Sequence, residues 1–250
     1  MGITSRSTLT AAAAAATLVL AGCASSGDMS PQQKTKLLNQ QRDRAADAAQ
    51  VLAAQQERPN NQRIPRDLIR NARCVAVLPA VTKAGLVVGG THGDGFVSCR
   101  DRSGDFAKAP PAAYDLSAAS LGLQAGAQRA NVIMLFESQE AVRAVIDGQF
   151  ALNGTLSATA GPSGWDRRVG ASRQAPVYVY SQSTGGLYAG LNLQGGKLSA
   201  DNRANSALYG PGTQPSNILL ADRPVPASVR SFNDALQNWA AEASNDKGST

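Results

Sequence analysis

The sequence predicts an α+β domain: a mostly antiparallel β-sheet or partly closed barrel with peripheral helices, one of them N-terminal and one C-terminal. Three observations lead there. Short β-branched or apolar runs recur through the middle of the chain, separated by Gly, Asp, Asn and Pro. A single helical pattern interrupts these runs, which argues against the strand–helix alternation of a doubly wound sheet. Three- and four-residue apolar spacing appears at both ends of the chain.

The first residues stand outside that domain. Arg6 precedes an Ala/Leu/Val run from Leu9 to Ala21, which is too short for a comfortable membrane span, and "LAGC" (Leu20 to Cys23) follows. This resembles the lipobox of bacterial lipoproteins. An ordinary secretory peptide is the weaker alternative, because the small residues end directly at a cysteine followed by the flexible "ASSGD". Cys23 is therefore the expected acylation site and mature N-terminus, with palmitate among the chains it would carry. Ala24, in place of Asp, resembles the sorting pattern for the Gram-negative outer membrane. The expected location is the bacterial envelope, on its periplasmic or its surface side.

Export leaves two further cysteines, Cys74 and Cys99. In an oxidising compartment they either pair or remain buried thiols, and the sequence leaves both open. A bridge would close a loop worth about 3.5 kcal/mol of chain entropy.

The N-terminal helix starts at "SPQQ", with Ser30 as N-cap, Pro31 at the first helical position and Gln33 completing a capping box, and runs to about Glu57. Its apolar positions, Leu38, Ala45, Ala48, Ala49 and Leu52, are mostly alanine, so weak docking is expected. "PRDLIRNA" reads as a short second helix. Strands are expected at "CVAVLP", "AGLVVGGT", "FVSCR", "AASLGLQAGAQ" and "NVIMLFE", with the glycines of "GGTHGDG" as a turn and His92 within it. "SQEAVRAVIDG" is the internal helix, capped by Ser138 and stopped at Gly148. "FALNGTLSATAG", "PVYVYSQ" and "GGLYAGLNLQGG" resume the strands, the last two as a hairpin. "NILLAD" and "PASVRSFNDALQNWAAEA" close the chain as helices, with Val229, Phe232, Leu236 and Trp239 on one face.

Tests for chemistry return little. Neither G-x-G-x-x-G leading into a helix nor G-x-x-x-x-G-K-[ST] occurs in the glycine-rich stretch, so no phosphate loop is expected there. With one histidine and no standard Cys/His spacing, neither a metal site nor a Ser-His-Asp triad is expected. Asp94, Asp101, Asp105, Glu137 and Glu140 occupy turn or cap contexts, and nothing selects a catalytic pair among them; a cleft joining His92 to Asp94 or Asp101 would reopen the question. The pI is 9.5, but aromatics make up 5% of the chain and none interleaves with the basic stretch, so nucleic acid is not an expected partner. No cofactor is implied.

The segments "IPRDLIRNARCVAVLPAVTKAGLVVGGTHGDGFVSCRD", "AAYDLSAASLGLQAGAQRANVIMLFES", "FALNGTLSATAGPSG" and "APVYVYSQSTGGLYAGLNLQGGKLSADNRANSALYG" together resemble the SYLF domain family. The likeness runs from about Ile64 to Leu220 and includes the "IP" start, the paired glycine clusters, "AGPSG" and the late Asn205, Tyr209 and Gly210. It implies lipid binding without catalysis: eukaryotic members bind phosphoinositides, some bind and bundle actin, and a basic segment near the domain's N-terminus is implicated in membrane contact. Bacterial members are commonly lipoproteins.

The domain plan is a signal peptide at 1–22, an acylated tether and basic helix at 23–62, a SYLF domain at 63–221, and a C-terminal helix and tail at 222–250. From Pro31 to Arg73 there are nine Lys/Arg against four Asp/Glu, whereas the rest of the chain to Thr250 is nearly balanced. Lys34, Lys36, Arg42, Arg44, Arg63, Arg66, Arg70 and Arg73 are thus the expected contacts for anionic lipid, whether phospholipid or phosphoinositide-like head groups. A structural lipoprotein that self-associates or binds an envelope protein is the alternative. Actin is not an expected partner unless the protein is displayed on a host-facing surface.

Overall fold

The computed structural model describes residues 29–85, 88–121, 126–152, 177–183, 193 and 195–245. The expected acylation site Cys23, the "AGPSG" motif and the second strand of the expected hairpin lie outside them. Two helices, α1 (Pro31–Gln56) and α2 (Arg66–Asn71), precede four long strands, β1 (Cys74–Gly85), β2 (Val88–Cys99), β3 (Ala112–Leu121) and β4 (Gly126–Phe136). Then come α3 (Gln139–Ile146), β5 (Gln149–Ala151), β6 (Val177–Ser183), β7 (Lys197–Ala200), α4 (Asn202–Tyr209), α5 (Pro215–Leu219) and α6 (Arg230–Asn245). The strands form one curled antiparallel sheet in the order β5-β7-β3-β2-β1-β4-β6, an α+β half-barrel.

Alternation along the strands divides two cores. Cys74, Ala76, Leu78, Tyr114, Leu116, Val132, Met134 and Phe136 face inward, where α3 and α5 cover them. Val75, Val77, Phe96, Ala113, Ile133 and Leu135 face outward beneath α1, α2, α4 and α6, with Phe96 stacked on Phe232 of α6 at 5.4 Å between ring centroids. The C-terminal helix is therefore packed in the same core as α1 and the sheet.

The stretch "GGTHGDG" is not a turn. β2 runs unbroken through it and pairs with β1 from Cys74↔Cys99 to Gly85↔Gly89, so His92 is a strand residue. The glycines are there for another reason. β1 carries one extra residue against both neighbours, between Val77 and Thr82 facing β2 and between Leu78 and Val81 facing β4. This bulge turns the strand, with Ala80 at φ 52° and its N–H donating to Asn131 Oδ1 at 3.0 Å. It brings β1 over the inner side of β2: a Cβ on Gly95 would lie 2.1 Å from the Val77 carbonyl oxygen, and one on Gly93 would lie 2.5 Å from Val81 Cγ2. The sheet curls toward the face on which these glycines lie.

The expected strand "AASLGLQAGAQ" divides between the end of β3 and the start of β4, and β3 begins earlier, at Ala112. Helix α4 was not among the expected elements. Its cap signals are nonetheless present: Asp201 accepts from the Ala204 N–H, and Gly210 follows at φ 105°. Cys74 and Cys99 form a disulfide between directly paired positions, S–S 2.05 Å, at the end of the β1–β2 ladder far from its hairpin.

Because the Gly95 contact is with backbone, it cannot be relieved by a rotamer change. Gly95→Ala is expected to cost about 3 kcal/mol or more, whereas Gly90→Ala, whose Cβ would meet nothing closer than 4.0 Å, should stay within about 1 kcal/mol of wild type. Urea-unfolding midpoints of the two variants check this; equal effects would remove the steric account of the curl.

Candidate functional site

Helix α1 begins with the full capping box: Ser30 Oγ accepts from the Gln33 N–H, and Gln33 Oε1 accepts from the Ser30 N–H. Its buried face is Gln41, Ala45, Ala48, Val51, Leu52 and Gln55. The alanines do not make docking weak, as their small size suggested. Ala45 and Ala48 are completely buried, because a side chain of that size lets the helix axis approach α6 and the sheet closely. Docking stops at Gln41. From Pro31 to Gln40 no residue is buried, Leu37 and Leu38 are only half covered, and Lys34, Lys36 and, just beyond, Arg42 are exposed.

Arg44 behaves differently from those three. It reaches the outer face of the sheet, where Nη2 donates to Asp94 Oδ2 at 2.8 Å and Nη1 to Gln41 Oε1 at 3.2 Å. Asp94 stands directly across from Asp115 in the β2–β3 ladder. Two carboxylates so placed cannot both ionise at ordinary cost. Burial foremost, then the hydrogen bond with Asp94 and the charges of Asp201 and Asp94, push the Asp115 carboxyl up to about 7, against the pull of Arg44. His92 Nε2 lies 3.2 Å from Asp94 Oδ1, but its side chain is 70% exposed. His92 and Asp94 therefore meet on an open surface, each Asp94 oxygen already engaged, in an arrangement that fastens a helix to a sheet.

The remaining basic residues gather beyond the far end of α1. Arg63 Nη1 is 3.7 Å from Glu242 Oε1, and Arg70 Nη1 donates to the Ala243 carbonyl at 3.1 Å. Arg63 and Arg66 line a shallow surface depression together with Gln55, Ile69, Trp239 and Glu242. Arg73 is exposed at the entrance to β1. The twenty-one helical residues from Lys36 to Gln56 span about 30 Å. The eight basic residues thus form two groups at opposite ends of α1, with Arg44 between them held by the sheet. Among the described residues no helix is long and apolar enough to cross a membrane, and no group of three or more His, Cys, Asp or Glu is placed to hold a metal ion.

The motif residues Asn205 and Tyr209 anchor α4. Asn205 accepts from the Ala113 N–H at 2.8 Å and donates back to the Ala113 carbonyl at 3.0 Å, extending β3 with a side-chain amide, while Tyr209 Oη donates to the Pro111 carbonyl at 2.6 Å.

The family model for Ysc84, described as Las17-binding protein actin regulator, matches residues 117–239, from β3 into α6. LAS seventeen-binding protein 3 of Saccharomyces cerevisiae is 30% identical over 191 residues, which is 72% of this chain and 40% of that protein. The chain belongs to the SYLF (Ysc84) family. Protein YSC84 of the same yeast is 28% identical over 74% of the chain, and SH3 domain-containing YSC84-like protein 1 of Homo sapiens is 28% identical over 73%. The matched region makes up 42% and 53% of those two proteins, so this SYLF chain corresponds to about half or less of each relative's length. No solved structure matches it.

The Asp94–Asp115 pair gives a pH dependence of fixed sign. Asp115 holds its proton in the fold up to about pH 7 and would release it near 3.8 when unfolded, so the folded state binds the extra proton across that window. Stability from this site is full below pH 4 and lost as pH rises through 7. Allowing for solvent screening, the loss is about 1–2 kcal/mol. Asp115→Asn is expected to lack it, so wild type and variant should differ in unfolding free energy between pH 5 and pH 8. Parallel pH profiles by urea unfolding would contradict the shared proton.

Proposed function

We propose that this SYLF protein is a non-catalytic lipoprotein of the bacterial outer membrane, anchored by acylated Cys23, whose basic N-terminal helix grips anionic lipid head groups. The observation that carries this reading is the start of α1, which stands clear of both cores and exposes Lys34, Lys36 and Arg42. The seven residue-to-residue steps from Cys23 to Ser30 reach at most about 25 Å, so an acylated Cys23 keeps that end of the helix beside the bilayer. Two or more acyl chains hold a protein on a membrane without help. At about 1 kcal/mol each near an anionic surface, the three cations set orientation and head-group preference instead. Arg44, committed to Asp94, leaves the set of lipid contacts. The group around Arg63 and Arg66 sits about 30 Å away along the helix.

A second reading, a surface for an envelope protein partner, draws on that far group and on relatives named for binding another protein. Vesicle flotation separates the two. The chain beginning at Ala24, which retains every described residue, is expected to float with phosphatidylglycerol-containing vesicles and far less with phosphatidylcholine alone. Replacing Lys34, Lys36 and Arg42 by Ala should weaken binding by about a hundredfold, while Arg63→Ala with Arg70→Ala should leave it unchanged. Equal flotation with both vesicle types, insensitive to 0.5 M salt (a Debye length of about 4 Å), would sink the electrostatic version.

A further inference from the structure

We propose that Lys83 and Thr91 form an oxyanion-binding site on the inner face of the half-barrel, taking the phosphate or carboxylate of a single anionic ligand. The two residues are directly paired in the β1–β2 ladder and so project on the same side. That side is the inner one: Lys83 follows Val81 by two residues, Thr91 precedes Gly93 by two, and a Cβ at Gly93 would touch Val81.

Both side chains are largely covered on that face, and the Thr91 hydroxyl is buried outright. Lys83 is 8% exposed and Thr91 3%. Among the described residues the Thr91 hydroxyl has no hydrogen-bond partner, and no hydrogen bond or ion pair reaches Lys83. The stem of Lys83 is covered while its ammonium is not among the buried unpartnered atoms, so a ligand arriving from solvent can reach it. No acid occupies an inner-face position on any of the seven strands; Asp94 and Asp115 project to the outer side. A lone cation and a lone hydroxyl side by side present donors for one acceptor group, and an oxyanion accepts from both.

The surroundings suit a ligand with an apolar body. Toward the disulfide, the next inner row is Val81, Leu116 and Ala130, all buried. Toward the β1–β2 hairpin, the next row is Gly126, Gly85 and Gly89, none of which carries a side chain. Ala118, paired with Thr91, is the neighbour on β3. Unlike the surface of α1, this site would bind one ligand per molecule, and it does not depend on how the helix meets a membrane.

Calorimetric titration of the chain from Ala24 tests it, since both cores lie within residues 29–245 and this chain keeps the whole fold. The probes are inorganic phosphate and, below its micelle concentration, myristoyl lysophosphatidate. Saturable one-to-one binding is expected for one or both. Binding of lysophosphatidate alone assigns the site to a lipid head group, and comparable binding of phosphate assigns it to a free anion. Lys83→Met should weaken binding about tenfold to a hundredfold, Thr91→Val about two- to tenfold, and Lys83→Arg less than Lys83→Met. Should Lys83→Met not fold, as judged by its melting curve, protection of Lys83 from acetylation by bound ligand in the wild-type chain takes its place. No saturable binding of either probe, or binding undiminished in a folded Lys83→Met and no protection, would overturn the proposal. The Lys34, Lys36 and Arg42 replacements should leave this titration unchanged, so its failure is distinguishable from failure of vesicle binding.

Discussion

The close passage of β1 over Gly93 and Gly95 is the constraint from which the rest of the fold follows. A flat seven-stranded sheet would need two broad helical layers. The extra residue in β1, taken up by Ala80 and tied by Asn131, bends the sheet there so that its inner face narrows. Among the described residues, two short helices, α3 and α5, cover the inner core, and Tyr114 donates its hydroxyl to the Val145 carbonyl of α3 across it. The outer face is correspondingly wide. It takes α1, α2, α4 and α6, and gives α1 a bed that extends only as far as Gln41. The basic start of α1 is thus exposed because burial of the helix against the outer core begins only at Gln41.

The parts of the fold that local chemistry dictates were legible in the sequence. Ser30, Pro31 and Gln33 marked the start of α1, Ser138 marked α3, and the spacing of Val229, Phe232, Leu236 and Trp239 marked the buried face at the C-terminus. Glycine was the source of the largest error. In a strand it ordinarily signals a turn, and only the partner strand shows that Gly93 and Gly95 are empty so that β1 can pass above them. α4 was hidden differently: the caps Asp201 and Gly210 were visible, but the eight residues between them include Asn202, Asn205 and Ser206, poor helix formers, of which Asn205 bonds to β3.

For the site, charge was legible and partnership was not. A count of Lys and Arg treats Arg44 and Arg42 alike, yet one faces solvent and the other meets a carboxylate fifty positions away. The same holds for Arg63 and Glu242, whose encounter depends on α6 returning to the end of α1. Lys83 carried no signal in the sequence, because its burial is a property of the register between β1 and β2 and of the curl around them.

Arg44 also explains how a helix whose first ten residues bury no side chain fully can present its charges in a definite place. An unsupported helical end of that length frays in water unless its termini are satisfied. The capping box secures the outer end, and Arg44, one residue row inside the overhang, secures the inner end to the sheet through Asp94 and to its own helix through Gln41. With Asp115 protonated, the cluster balances one guanidinium against one carboxylate, so the anchor adds no net charge beneath the basic segment. The cations on the overhang are then carried by a rigid body whose orientation the sheet determines. A membrane that attracts Lys34, Lys36 and Arg42 would turn the whole domain, with its inner face and the depression beside Trp239, into one fixed attitude relative to the bilayer.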